Sequence, residues 1–178
     1  MRALDCFEAS SLLARGGIVA FPTETVYGLG VRGDDSDAVA RLYRVKSRLP
    51  ENPLIIHIRR MEHARRYAVI DDVSERLMAR LWPGPVTFVL PRKKDHRYPL
   101  ADNALAYLPT IALRVPSHPV AQQLLSLCHI PLAAPSANRS TYLSTTSAQD
   151  VAYALEACAI DGLIDGGLCA YGLESTIL

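Results

Sequence analysis

The sequence predicts a single α/β domain built on a twisted sheet of mixed parallel and antiparallel strands flanked by helices. Three observations predict it. Short apolar runs of strand length alternate with stretches of helical periodicity along the whole chain. Between Val86 and Val115 two strand patterns are joined by helix-free turns, which favours antiparallel pairing in part of the sheet. The 178 residues, 49% hydrophobic and 21% charged, match one compact domain, with no internal repeat and no flexible linker.

The elements follow in order. Leu4 to Arg15 has helical spacing and stops at Gly16-Gly17, a pair suited to a left-handed helix end. Ile18 to Phe21 reads as a buried strand, and Pro22 to Gly30 as a loop. Ser36 or Asp37 is expected to cap a helix running to about Lys46. Pro53 to Ile58 is a strand, followed by helical patterns near 61–68 and 72–81, the second broken by Trp82-Pro-Gly-Pro85 before the strand Val86 to Leu90. Thr110 to Val115 is a strand. Ser117 is expected to cap a helix that has Pro119 in its first turn. Leu132 to Ala134 is a short strand, Pro135 to Thr145 a hydroxyl-rich loop, and Thr146-x-x-Gln149 a capping box for a helix to about Ala157. Gly162 to Asp165 and Glu174 to Leu178 are the last strand candidates.

Composition excludes several classes. No apolar run approaches the ~20 residues of a membrane span, and the acids of the first eight residues do not fit a secretory leader, so a cytoplasmic protein with no membrane partner is expected. Four scattered cysteines without a C-x-x-C pair read as reduced, mostly buried thiols. The net charge of +1 conceals an asymmetry: residues 1–97 hold 17 Lys and Arg against 12 acids, and residues 98–178 hold 2 against 6. Three basic clusters produce it: Arg41/Arg44/Lys46/Arg48, Arg59/Arg60/Arg65/Arg66 and Arg92/Lys93/Lys94/Arg97. They suit a positive face that meets an anion, or solvated helix and loop charges.

Gly28-Leu-Gly30-Val-Arg-Gly33 matches G-x-G-x-x-G, but six residues separate its first glycine from the preceding strand, and a dinucleotide site requires direct succession. Phosphate-loop, zincin and α/β-hydrolase signatures are absent, and the five histidines show no metal-ligand spacing. What remains is a set of polar residues in strand-end loops, where α/β sheets bind ligands: Thr23-Glu-Thr25, Lys46-Ser-Arg48, Asn52, His57, and Ser136 and Asn138 of Pro135-Ser-Ala-Asn138. Thr110 and Arg114 join them, four apart on one strand and so on one face. The inventory suits a polyanion plus a small zwitterion, with cations on phosphates and the strand arginine on a carboxylate. It holds no nucleophile and base pair, so catalysis would rest on positioning and charge stabilisation. Each residue also has a bland role: Thr25 in a turn, His57 in the core, Ser136 and Asn138 in ordinary turn chemistry.

At these residues the chain resembles the YrdC-like threonylcarbamoyl-AMP synthase family. The match runs through Gly17-Ile-Val-Ala-Phe-Pro-Thr-Glu-Thr-Val-Tyr-Gly-Leu-Gly30, Lys46-Ser-Arg48, Asn52-Pro-Leu-Ile-Ile-His57, Trp82-Pro-Gly-Pro-Val-Thr87, Arg114-Val-Pro-Ser-His-Pro119, Ala134-Pro-Ser-Ala-Asn138 and Glu174-Ser-Thr176. The resemblance implies a YrdC-like domain over 1–178 with a deep positive cavity. It implies L-threonylcarbamoyladenylate synthase activity, a nucleotidyl transfer that joins L-threonine, bicarbonate and ATP, with Mg²⁺ on the leaving pyrophosphate. Downstream proteins would transfer the threonylcarbamoyl group to tRNA. By motif, Thr25, His57, Arg114 and Ser175 would hold threonine. Lys46, Arg48, Asn52, Thr110, Ser136, Asn138 and Ser144 would hold ATP, with Lys46 and Arg48 as the catalytic cations.

Two departures qualify the match. Where the family reads Ser-Gly-x-x-Ser-Pro-Thr, this chain has Ser140-Thr-Tyr-Leu-Ser-Thr-Thr146. The family also continues past the Glu-Ser-Thr motif into a strand with an ATP-binding arginine, so the domain is expected to lack its C-terminal end or to close the nucleotide site differently. The competing class is a non-catalytic module of the same fold that binds double-stranded RNA or tRNA. Few aromatic residues interleave with the basic clusters, which disfavours base stacking.

Overall fold

The computed structural model describes residues 2–178. The elements are α1 (Cys6–Ala14), β1 (Val19–Phe21), β2 (Gly28–Arg32), α2 (Ser36–Lys46), β3 (Ile55–His57), a 3₁₀ turn (Met61–Arg66), α3 (Asp72–Leu81), β4 (Val86–Pro91), a second 3₁₀ turn (Asp102–Leu105), β5 (Thr110–Arg114), α4 (Pro119–Cys128), β6 (Leu132–Ala133), α5 (Ala148–Ala154), β7 (Gly162–Leu163) and β8 (Thr176–Ile177). The strands form one sheet in the order β7-β1-β2-β6-β3-β5-β4-β8. Pairing is mixed as expected: β1 with β7, β3 with β5 and β4 with β8 run parallel, and the remaining neighbours antiparallel. No helix among the described residues is long and apolar enough to cross a membrane.

Several boundaries differ from the sequence reading, each for a local reason. The expected loop from Pro22 to Gly30 ends at Tyr27, because Gly28–Arg32 pairs with β1 and β6. Asp35 rather than Ser36 or Asp37 caps α2, its carboxylate accepting from the amides of Asp37 and Ala38; an ionised cap is the stronger acceptor at a helix start. His118 caps α4 through its ring nitrogen, since Ser117 is drawn away by a bond from its amide to Glu24. The box on α5 is Ser147 with Asp150, one residue beyond the expected Thr146 and Gln149, and the helix stops at Ala154. The segment near 61–68 is a 3₁₀ turn instead of an α-helix.

The two sheet faces are covered unequally. Ile18, Ala20, Leu29, Val31, Ile56, Phe88, Leu90, Ile111, Leu113 and Ala133 point into the larger core, with α2, α3 and α5. Their alternates Val19, Phe21, Leu132 and Ala134 meet α1 and α4 in a smaller core that reaches only β1, β6 and the segment after β7. Across β3, β5 and β4 that second face is left open: Ile55, Ala112 and Thr110 are half-buried and Val89 is 44% exposed. An uncovered half of a sheet is a surface on which a ligand can lie.

Gly28 and Gly30 shape its border. They lie within β2, which disposes of the dinucleotide motif, and they let the buried ring of Phe21 lie across the strand. A Cβ at Gly30 would stand 2.8 Å from Phe21 Cε1 and one at Gly28 3.2 Å from Cζ. The ring then meets His57 edge-on, centroids 6.0 Å apart. Gly30→Ala should therefore destabilise the fold by about 1–3 kcal/mol in urea titration through overpacking. A Phe21→Leu background should recover part of that loss; additive effects would show that the two positions are not coupled.

Candidate active site

The site is a row of polar side chains on the open face. The registers His57 to Arg114 and Phe88 to Leu113 place His57, Arg114 and Thr87 side by side on β3, β5 and β4. All three are buried. Thr110 shares the face with Arg114, about 13 Å away at the strand rise, so the two expected strand residues border one surface from opposite ends.

The loop after β1 folds back over this row. Its Glu24 accepts from Arg114 Nη2 at 2.8 Å and from the Ser117 amide at 3.1 Å. Both members of the pair are nearly inaccessible, with side-chain exposures of 4% and 7%. Thr23 organises the same loop: its hydroxyl bonds the Val26 carbonyl and lies 2.9 Å from the Thr25 hydroxyl. The segment after β7 then crosses the loop, with the amides of Tyr171 and Gly172 donating to the carbonyls of Glu24 and Thr25. It brings Ser175 within 2.7 Å of the Thr87 hydroxyl, beside Arg114. The loop, the strand row and this segment thus bring Thr25, His57, Arg114 and Ser175 to the same side of the sheet.

His57 is held neutral. Burial, reinforced by the positive charge of Arg114, lowers its pKa to about 3. Its Nδ1 faces the Ile55 carbonyl at 3.3 Å, and a carbonyl only accepts, so the proton sits on Nδ1 and Nε2 is the acceptor.

The second group of expected residues gathers at the opposite end of β3. Lys46, the last residue of α2, is 1% exposed and donates from Nζ to the carbonyls of Ser136 and Asn138. Burial first, then the charge of Arg48, lowers its pKa to about 8, with Glu174 opposing. Arg48 donates to the carbonyls of Asn52 and Pro53 at 3.2 and 3.0 Å. Asn138 ties its own loop through a bond to the Arg139 carbonyl, and Ser144 donates to Glu174 at 2.6 Å. Both cations therefore clamp backbone in this structure. Beside Ser144 a cleft of about 1010 Å³ opens against α5, with Arg139, Tyr142 and Tyr153 on its walls. Thr141, standing where the family pattern has glycine, takes φ 71°, a costly conformation for a β-branched residue.

Three buried side-chain polar atoms lack a partner among the described residues, and two belong here: Arg114 Nε and Asn138 Oδ1. One is a donor in the strand row and the other an acceptor in the loop that Lys46 clamps, and each has hydrogen-bonding capacity left unused. Sequence reasoning counted Glu24 only as part of Thr23-Glu-Thr25 and gave it no role, and it missed Thr87, although both lie within the quoted motifs. An acid between two threonines directly after a strand was the available signal for Glu24.

Comparison with known proteins agrees with this fold. The Sua5/YciO/YrdC model, described as telomere recombination, matches residues 11–178. A threonylcarbamoyl-AMP synthase of Bacillus subtilis is 42% identical over 172 residues, 96% of this chain and 49% of that protein. One of Chromohalobacter salexigens is 36% identical over 171 residues, 96% of this chain and 89% of its own. The crystal structure of P. abyssi Sua5 complexed with L-threonine superposes with a TM-score of 0.91 at 42% identity, covering 97% of this chain and 49% of that one. The chain thus spans about half the length of the first and third of these relatives.

Two outcomes follow from the buried charges. Glu24→Ala should cost about 3–5 kcal/mol in denaturant titration by stranding the Arg114 guanidinium, whereas Glu24→Met combined with Arg114→Met should cost clearly less; equal losses would mean that the pair is not electrostatically coupled. Because the folded pKa of His57 is about 3 against an ordinary 6.5, the unfolded chain takes up the proton first as pH falls. Its contribution to stability is complete above about pH 6.5 and is lost progressively towards pH 3. His57→Gln should flatten that part of the stability profile, and an unchanged acid slope would assign it to other groups.

Proposed function

The chain belongs to the Sua5/YciO/YrdC family, and from that premise we propose that it makes L-threonylcarbamoyladenylate and pyrophosphate from L-threonine, bicarbonate and ATP. The observation that carries the reading is Arg114: a buried, pre-oriented guanidinium with an unpartnered Nε, facing the open sheet beside Thr25, neutral His57 and Ser175. That arrangement fits a small amino acid carrying a hydroxyl. Arg114 takes the carboxylate, His57 Nε2 accepts from the amine or the hydroxyl, and Thr25 and Ser175 bond the remaining polar atoms.

The amine condenses with bicarbonate to a carbamate and water. A carbamate oxygen then bonds the α-phosphorus as the bond to the β-phosphate bridging oxygen breaks, and pyrophosphate leaves with that electron pair. The carbamate is itself the nucleophile, so the protein's contribution is positioning and charge stabilisation. Lys46 retains its charge below about pH 8 and, with Arg48, meets the phosphates in exchange for backbone carbonyls. Ser136, Asn138 and Ser144 hold the nucleoside end, with Asn52 and Thr110 along its path. Glu24 and Glu174 are already engaged by Arg114 and Ser144, so Mg²⁺ arrives with ATP as part of the substrate. This assigns the chain to the nucleotidyltransferases of the cytoplasm, and the adenylate passes to proteins that modify tRNA.

The test is pyrophosphate release from MgATP with and without bicarbonate, using L-threonine, L-serine or no amino acid. Release should require threonine and bicarbonate together. Arg114→Lys should raise the threonine KM about tenfold or more, since it loses the bidentate fork, and Lys46→Ala should impair ATP use. Release that ignores threonine, or salt-sensitive tRNA binding without any release, would overturn the assignment.

A further inference from the structure

Away from the open face, a cavity of about 250 Å³ lies between the 3₁₀ turn Met61–Arg66 and the end of α4. It shares no lining residue with the site described above. Its polar wall is basic: Arg59 follows β3, His63 and Arg66 come from the turn, and Ser126 and His129 from the end of α4. Arg66 is set in place by Tyr98, whose ring centroid lies 4.8 Å from the guanidinium carbon. Stacking leaves the in-plane N–H groups for another partner. Among the described residues neither Arg59 nor Arg66 pairs with a carboxylate. The nearby ion pairs use Arg65 with Glu75 and Arg92 with Asp102, none of which lines the cavity.

Crowded cations without counter-charge repel one another, and an anion in their midst relieves that repulsion. His63 reports the crowding. Its pKa is lowered by burial and then by Arg66, Arg60 and Arg59, with only Glu62 opposing. The other wall is apolar, formed by Ile58, Leu125 and Ile130. At that side α4 ends, and the last carbonyls of a helix favour a donor over an anion. We propose that this cavity binds a small phosphate monoester, with its phosphate on Arg59 and Arg66 and its organic end, carrying a hydroxyl, against the end of α4. The volume lies just under the ~300 Å³ at which pockets begin to hold drug-sized ligands, so it suits a short ester and not a nucleotide. A recess with an apolar wall also distinguishes it from a flat basic surface that tracks a nucleic-acid backbone.

The test is calorimetric titration of the whole chain with glycerol 3-phosphate, inorganic phosphate and a short RNA duplex at one fixed ionic strength. Glycerol 3-phosphate should bind more tightly than inorganic phosphate and shift the ring resonances of His63 and His129. Arg59→Gln should weaken it about tenfold or more, the loss of a charge-assisted bond. Arg59 is exposed, so this variant should fold normally. Arg66→Lys, which keeps the charge and loses the fork, should weaken binding less, while Arg48→Gln should leave it unchanged. Affinity insensitive to Arg59→Gln, affinity lost in Arg48→Gln, or binding of RNA without binding of either small phosphate would each overturn the proposal.

Discussion

Arg114 sits on a central strand with almost no access to water, and a guanidinium in that position is tolerable only while a carboxylate stays beside it. Glu24 supplies that carboxylate from a loop that would otherwise have little reason to lie on the sheet. The ion pair therefore does two things at once. It compensates the buried charge of Arg114, and it pins the loop Pro22–Tyr27 across that face, bringing Thr25 to the same side as the strand row. The segment after β7 depends on the same arrangement, because its amides bond the carbonyls of Glu24 and Thr25. Ser175 reaches Thr87 as this segment runs on into β8.

The open face itself follows from an imbalance in helices. One side of the sheet is sealed by α2, α3 and α5, and the other only partly by α1 and α4. The boundary between covered and open regions is the ring of Phe21, which occupies the space that Gly28 and Gly30 leave vacant and stands edge-on to His57. Phe21 is one of the groups that bury His57, and burial together with the positive charge of Arg114 keeps that imidazole neutral.

At the other end, Lys46 and Arg48 show how a cation can organise backbone. Each is satisfied by backbone carbonyls, which fixes the loops around Ser136, Asn138 and Asn52 before any anion is present. The depressed basicity of Lys46 has the same origin, since an ammonium at the end of α2 has lost most of its water and lies near Arg48. Thr141 holds a left-handed turn in the neighbouring loop without the freedom of glycine, and the Asn138 bonds to its carbonyl neighbours help keep that turn closed.

Much of this was legible in the residues. Alternating strand and helix periods gave the elements, the lack of an α-helical pattern between Val86 and Val115, where the chain forms only the 3₁₀ turn Asp102–Leu105, gave the antiparallel β4 and β5, and the spacing of Thr110 and Arg114 placed them on one face, because all of these are properties of local backbone geometry. The ordered motifs likewise marked the family. Helix caps shifted by a residue wherever a neighbouring carboxylate or a tertiary contact offered a better acceptor, as at Asp35 and His118. What the sequence by itself determined was which segments are strands and helices and which side chains are available for chemistry. Only the tertiary structure decided that Glu24 is the partner of Arg114, that Gly28 and Gly30 make room for Phe21 instead of a dinucleotide, and that Lys46 clamps a loop 90 residues away. Those outcomes depend on which distant groups share a low-dielectric space, and burial, pairing and close approach are set by packing between segments that no local pattern encodes.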